Sequence, residues 1–173
     1  MAHKICGILD AQGFMKDGLL IPREVALKTD TKNVCFLVNT KLCYDELNTR
    51  DRITNRYIEK IIIGIPLVIK KDDKAVIDYE LEIFKLYHSS KTKEKKLIGI
   101  KNHHLTVILN KLCIPWIDLE DFGCQSMDIL ERLYNESCCA FHHHIKRTCG
   151  DWKCAQKKVN ILDKWLKTRK TDL

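Results

Sequence analysis

Residues 4–38 read KICGILDAQGFMKDGLLIPREVALKTDTKNVCFLV, and this stretch decides the fold class. Apolar runs are broken twice by polar turn residues, as expected of consecutive strands. Residues 4–10 form a first strand that closes on Asp10. The Asp17-Gly18 pair between apolar runs is a hairpin signal. Residues 19–28 make the second strand, where Pro22 suits an edge or a bulge. After the polar turn TDTKN, residues 34–38 make a third.

Beyond this meander the period changes. Leu42, Leu47, Ile53, Tyr57 and Ile61 recur near 3.6 residues and predict a helix over 42–62. Residues 66–87 read either as a strand, a turn at Asp72-Asp73 and an amphipathic helix, or less regularly. Residues 91–96, KTKEKK, are a charged surface segment. A strand is expected over 97–101, then a helix capped by Asn102 with Leu105, Ile108, Leu109 and Leu112 inward. Residues 115–119 form a further strand, Ser126 caps a short helix, and 152–166 form the last helix with Val159, Leu162 and Trp165 buried. Antiparallel strands followed by alternating helices and strands give an α/β mixed sheet covered on both faces, in the element order of ribonuclease H-like folds. The 173 residues suffice for one such domain, spanning 1–173.

Hydrophobic residues make up 45% and charged residues 31%, the balance of a globular chain. The net charge of +7 favours a polyanionic partner, of which nucleic acid is the usual one, although solubility alone accounts for it equally. No secretory leader is legible at the N-terminus, and the longest uncharged apolar run, residues 61–69, is far shorter than the roughly 20 residues that span a bilayer. Nine cysteines without disulfide-like spacing suit a reducing compartment. An intracellular protein, cytoplasmic or nuclear, is expected, with no membrane partner and no small-molecule substrate.

Residues 138–159, CCAFHHHIKRTCGDWKCAQKKV, concentrate the chemistry. Cys139 and His142 form a Cys-x2-His pair, with Cys149 and Cys154 following. Two ligands so spaced grip one face of a metal ion, and later cysteines close a tetrahedron. Cys138, His143 and His144 are neighbouring alternatives; buried thiols beside exposed histidines is the plainer reading. Lys157, Lys158, Lys164, Lys167, Arg169 and Lys170 make a basic run that serves either as a track for phosphates or as a solvated helix face. Trp152 and Trp165 read as core, and His103 and His104 as solvent-facing.

Two-metal nucleases of ribonuclease H-like fold need converging carboxylates. Asp10 stands at the right place for one, but Gln12 replaces the expected glutamate. ILDAQGF at 8–14 and NHHLTVIL at 102–109 resemble the first two motifs of the DnaQ-like exonuclease superfamily, and CAQKKV at 154–159 falls where the third motif belongs. The acidic residues of the second and third motifs are missing, with Lys158 where the final aspartate belongs. The chain resembles more closely the Maelstrom domain, a catalytically altered branch of that superfamily engaged in small-RNA silencing of transposons, and is similar to sequences of insect mobile elements and viruses. That resemblance implies one structural zinc held by Glu24 of IPREVAL, Cys139 and His142 of CAFH, and Cys154. It also implies RNA or a silencing protein as partner, and no standard exonuclease activity. The alternatives are an active nuclease, in which Asp10 and Asp118, Glu120 or Asp121 hold magnesium or manganese, and a protein-interaction module.

Overall fold

A computed structural model describes residues 2–68, 74–142 and 153–171, with the final two of these by their backbone alone. The expected meander is present as β1 (Ile5–Lys16), β2 (Leu19–Thr29) and β3 (Asn33–Val38), all antiparallel. Its first turn places Asp17 at φ 52° and Gly18 at φ 80°. A two-residue turn of that hand matches the right-handed twist of the strands it joins, and its second position suits glycine. Three further strands join: β4 (Ala75–Val76), β5 (Leu97–Ile100) and β6 (Trp116–Asp118). The six-stranded mixed sheet runs β4-β3-β2-β1-β5-β6, with β4 parallel to β3, β5 parallel to β1 and β6 parallel to β5.

Among the described residues five α-helices flank it: α1 (Thr49–Tyr57), α2 (Tyr79–Ser90), α3 (Leu105–Lys111), α4 (Met127–Leu133) and α5 (Ala155–Thr171). Strand alternation divides the core in two. Leu9, Ala11, Val25 and Leu27 face Ile83 and Tyr87 of α2 and Leu105, Ile108 and Leu109 of α3. Ile8 and Ala26 face Val159, Leu162 and Trp165 of α5, together with Leu130 of α4. Among the described residues no helix is long and apolar enough to cross a membrane, and no cysteine is in a disulfide.

The register between β1 and β2 shifts once, where Gln12 pairs with Glu24 but Gly13 pairs with Pro22. Arg23 is the extra residue, so Pro22 marks a bulge within a central strand rather than an edge. The fully buried Arg23 donates from Nε to the Pro66 carbonyl and from Nη1 to the Val38 carbonyl, both at 2.9 Å. The backbones meet so closely here that a Cβ on Gly13 would overlap the Ile21 carbonyl oxygen and stand 2.9 Å from Pro22 Cα. Those neighbours are main chain and cannot swing aside. Gly13→Ala is therefore expected to destabilise by about 3 kcal/mol, the upper part of the overpacking range, read from the urea midpoint. A loss below about 1 kcal/mol would show that the bulge yields easily.

Several expectations need correction. Asp10 does not close the first strand; it lies mid-strand, because the bulge lets β1 stay paired through Lys16. The helix expected over 42–62 begins only at Thr49, where Asn48 Oδ1 accepts the Asp51 N–H at 2.8 Å. It continues past Tyr57 as a π-helical turn, Ile58–Ile63. Leu42 and Leu47 instead pack from irregular chain into a third cluster around Phe14 and Ile63. Asn102 accepts the His104 N–H at 3.1 Å from one turn outside α3. Ser126 precedes α4 but its hydroxyl does not cap it. The last helix starts three residues later than expected, at Ala155. The ambiguous 66–87 segment yields β4 and α2, while the Asp72-Asp73 turn and Trp152 lie outside the described residues.

Candidate metal centre

Strand alternation sets Glu24, two residues from Ala26, on the α5 face of the sheet, and α5 begins directly over it. Ala155 N–H at the helix start donates to Glu24 Oε2 at 2.9 Å. An anionic group suits a helix N-terminus, where unpaired N–H groups and the helix dipole favour negative charge. With Oε2 so engaged, Oε1 turns toward Cys139 Sγ at 2.9 Å, His142 Nε2 at 3.2 Å and Cys154 Sγ at 3.4 Å. A 3₁₀ turn, Ala140–His142, folds His142 back beside Cys139, closed by the His142 N–H on the Cys139 carbonyl at 3.2 Å. Cys154 immediately precedes α5.

The ligand atoms of Glu24, Cys139, His142 and Cys154 all lie within 4.8 Å of one another, and all four residues are buried. A tetrahedral zinc with ordinary bond lengths holds such donors about 3.3–3.8 Å apart. The donor set therefore fits a metal ion of zinc's size and softness. Cys154 adds a second indication. Its Sγ accepts two backbone N–H groups, from Cys139 at 3.3 Å and Lys157 at 3.4 Å, an environment that suits a thiolate. The His142 ring adds a third. Nδ1 is buried without a partner among the described residues, a far smaller penalty for a neutral ring held through Nε2 than for an imidazolium.

Without a metal the same groups hold their protons. Burial pushes the Glu24 carboxyl up, but the hydrogen bond and charge of His142, with Ala155 N–H and Cys139, hold it below its ordinary value. Burial pulls His142 down, and hydrogen bonds to Cys154 and Glu24 outweigh it, pushing the ring up to about 10. The hydrogen bond with Cys154 favours the Cys139 thiolate, yet Cys35, burial and the Glu24 charge raise that thiol; Cys154 is raised by Cys139 and burial. The metal-free site is thus a carboxylate–imidazolium pair with two thiols, and metal binding must release three protons, from Cys139, Cys154 and His142.

Opposite pH responses follow. A histidine raised on folding stabilises fully below its unfolded value near 6.5 and loses that contribution as pH rises through about 10, so the metal-free protein gains nothing from alkali at this site. Metal binding strengthens as pH rises. Zinc affinity, measured by competition with a chelating dye, is expected to fall up to about 1000-fold per pH unit from pH 8 toward 6, tenfold for each proton. A pH-independent affinity would remove the thiols and the imidazole from the ligand set.

Cys138 is buried in the adjoining thiol cluster but outside the four-donor set, and His143, His144 and Cys149 lie outside the described residues. Cys35 was not anticipated from sequence. Its Sγ is 3.5 Å from Glu24 Oε1, and only the strand register, which sets it opposite Ala26, reveals the proximity.

Asp10 is buried with both carboxylate oxygens engaged, Oδ2 by Gln12 Nε2 at 2.8 Å and Oδ1 by Lys158 Nζ at 3.3 Å. Its carboxyl is raised by burial against the opposing charge of Lys158 and the hydrogen bond from Gln12. Asp118 and Glu120 group with His103, where His103 Nε2 is 3.1 Å from Asp118 Oδ2 and Lys101 Nζ is 2.6 Å from Glu120 Oε1. Asp121 lies on an exposed turn. Among the described residues Asp10 belongs to no group of three ligand-bearing side chains within 4.8 Å of one another.

In the C-terminal basic run, Lys157 meets Glu131 at 3.2 Å, Lys167 meets Asp163 at 2.7 Å, and Lys164 pairs with Glu136. Arg169 lies over the buried Trp165 ring, 5.8 Å from its centroid, and the Lys170 side chain is outside the described residues. No family model matches the chain, and neither a curated protein nor a solved structure is significantly similar to it.

Proposed function

We propose that the chain is a ribonuclease H-like domain of the Maelstrom kind, stapled by one structural zinc and given over to binding rather than cleavage, with RNA or a protein of an RNA-silencing pathway as its partner. The observation that carries this reading is the buried Glu24, Cys139, His142 and Cys154 set, whose donors come from the second strand, a loop and the start of the last helix. Four protein ligands leave no position for a reacting water, which suits a structural role. The strand order supports the fold assignment, with an antiparallel β3-β2-β1 half followed by parallel β5 and β6. Lys158 on Asp10 supports the loss of two-metal catalysis, because an ammonium occupies the carboxylate that a divalent ion would need. The net charge of +7 supports a polyanionic ligand.

Elemental analysis of protein purified without added metal is expected to give about one zinc per chain. Glu24→Gln, Cys139→Ser and Cys154→Ser should each abolish it. Binding of single-stranded RNA, followed by fluorescence anisotropy, should weaken steeply between 50 and 200 mM salt, and no magnesium-dependent cleavage should appear. A zinc-free protein overturns the staple. Cleavage that vanishes in Asp10→Asn overturns the binding role.

A further inference from the structure

Four cysteines crowd one corner of the sheet, yet the ligand set uses only two of them. Cys138, Cys139 and Cys154 are buried together, with Cys35 packed against them from β3. Cys35 alone of these is not fully buried. It hydrogen-bonds to Cys139, and both thiols converge on the same Glu24 oxygen, at 3.5 Å and 2.9 Å. A thiol on a partly exposed residue therefore touches a metal-ligand candidate without belonging to the mutually close four.

We propose that Cys35 and Cys139 are a redox pair, through which a hydroperoxide dismantles the ligand set. The proposal rests on the metal reading above and deepens it to regulation of that site. Cys35, on a partly exposed residue and outside the four-donor set, takes the first oxygen. Its sulfur attacks hydrogen peroxide, the O–O bond breaks, Cys35 becomes a sulfenic acid and water leaves. Cys139, in the thiolate form in which it serves as ligand, then attacks the Cys35 sulfur. The S–S bond forms and hydroxide departs, taking a proton as a second water. Two thiols give up two electrons to one peroxide. The product is a disulfide and two waters. A disulfide sulfur is no longer an anionic donor, so the set falls from four ligands to three and metal retention fails.

The arrangement has a directional logic. Cys154 is held by two backbone N–H groups at the helix start, so it is the sulfur least free to move. Cys139 lies in irregular chain just before a 3₁₀ turn, outside any strand or helix. Reduction by a dithiol restores Cys35 and Cys139 and with them the site.

The test is peroxide titration of the purified zinc protein, with released zinc read by a chromogenic chelator. Digestion without reductant, with fragmentation by mass spectrometry, identifies the disulfide. Zinc release is expected together with a linkage joining Cys35 to Cys139, both reversed by a reducing agent and added zinc. Cys35→Ser should hold one zinc and release it at least about tenfold more slowly, since the resolving reaction between adjacent sulfurs is lost. Cys35→Ala serves as the second variant if the serine form does not fold. Release at the wild-type rate from a zinc-loaded Cys35 variant, or a disulfide that omits Cys35, overturns the redox pair and leaves the metal reading standing. A wild-type protein that holds no zinc overturns the metal reading itself, and the switch with it.

Discussion

Stripping the metal with a strong chelator is expected to lower the melting temperature by roughly 10–20 °C. The estimate follows from about 4–6 kcal/mol of linked stability at 2–4 °C per kcal/mol for a chain of this size. The figure is conservative beside the binding free energies of structural zinc, because part of the fold persists without metal. Both faces of the sheet have their own apolar cover, so a zinc bound there would staple a domain with a core rather than create one. What it would add is a link between β2, the loop at Cys139 and the start of α5. Glu24→Gln separates the staple from a simpler role. If Glu24 only caps α5, the amide oxygen still accepts the Ala155 N–H, and the loss stays near 1 kcal/mol whether or not a chelator is present. If Glu24 is a ligand, Glu24→Gln abolishes zinc binding and makes the melting temperature insensitive to chelator. A wild-type protein whose unfolding ignores the chelator sinks the structural-zinc reading.

The features legible in the sequence are those with local causes. The Asp17-Gly18 turn and the apolar runs around it specify the meander, and the Cys139-x2-His142 spacing announces a metal half-site. Glu24 could not be found this way. A glutamate in a strand looks solvent-facing until the packing of α5 over its face puts it in the interior, so only resemblance pointed to it. Cys35 was beyond reach for the same reason, since its relation to Glu24 exists only across the β2–β3 ladder. The overlong helix expected over 42–62 shows the opposite error. Leu42 and Leu47 are spaced for a helix but buried from irregular chain, while the local signal for the true start, Asn48 three residues before Asp51, was present and outweighed by the apolar period. Lys158 was legible as the lysine standing where the resemblance expects the final aspartate, but its pairing with a mid-strand Asp10 depends on how α5 lies across β1.

That pairing gives the other large effect. Lys158→Met keeps the aliphatic stem and removes the ammonium, leaving Asp10, 1% exposed, with Gln12 as its one remaining hydrogen-bond donor among the described contacts. Breaking a buried ion pair from one side leaves an uncompensated charge, and about 3–5 kcal/mol of stability should disappear at neutral pH. The converse change is milder. In Asp10→Asn the ammonium, on a side chain that is 16% exposed, can turn toward water, and the loss should be near 1 kcal/mol. The double variant should be more stable than Lys158→Met alone, since no charge is left buried. The pH response carries the sign. Asp10 is raised by burial against the lowering charge of Lys158, so its folded value lies above its unfolded one. Such a group stabilises fully below the unfolded carboxylate value and loses that contribution as pH rises through the folded value. Removing Lys158 raises the carboxyl further, so the defect in Lys158→Met should be largest at pH 7 and shrink toward pH 4.5 as Asp10 takes a proton. Asp10→Asn, which has nothing to titrate, should gain on the wild type over the same rise in pH. Denaturant midpoints of the four proteins at pH 4.5 and 7 test this directly. Additive single-variant losses, or a Lys158→Met defect that does not change with pH, would mean that Lys158 and Asp10 do not act as one buried pair.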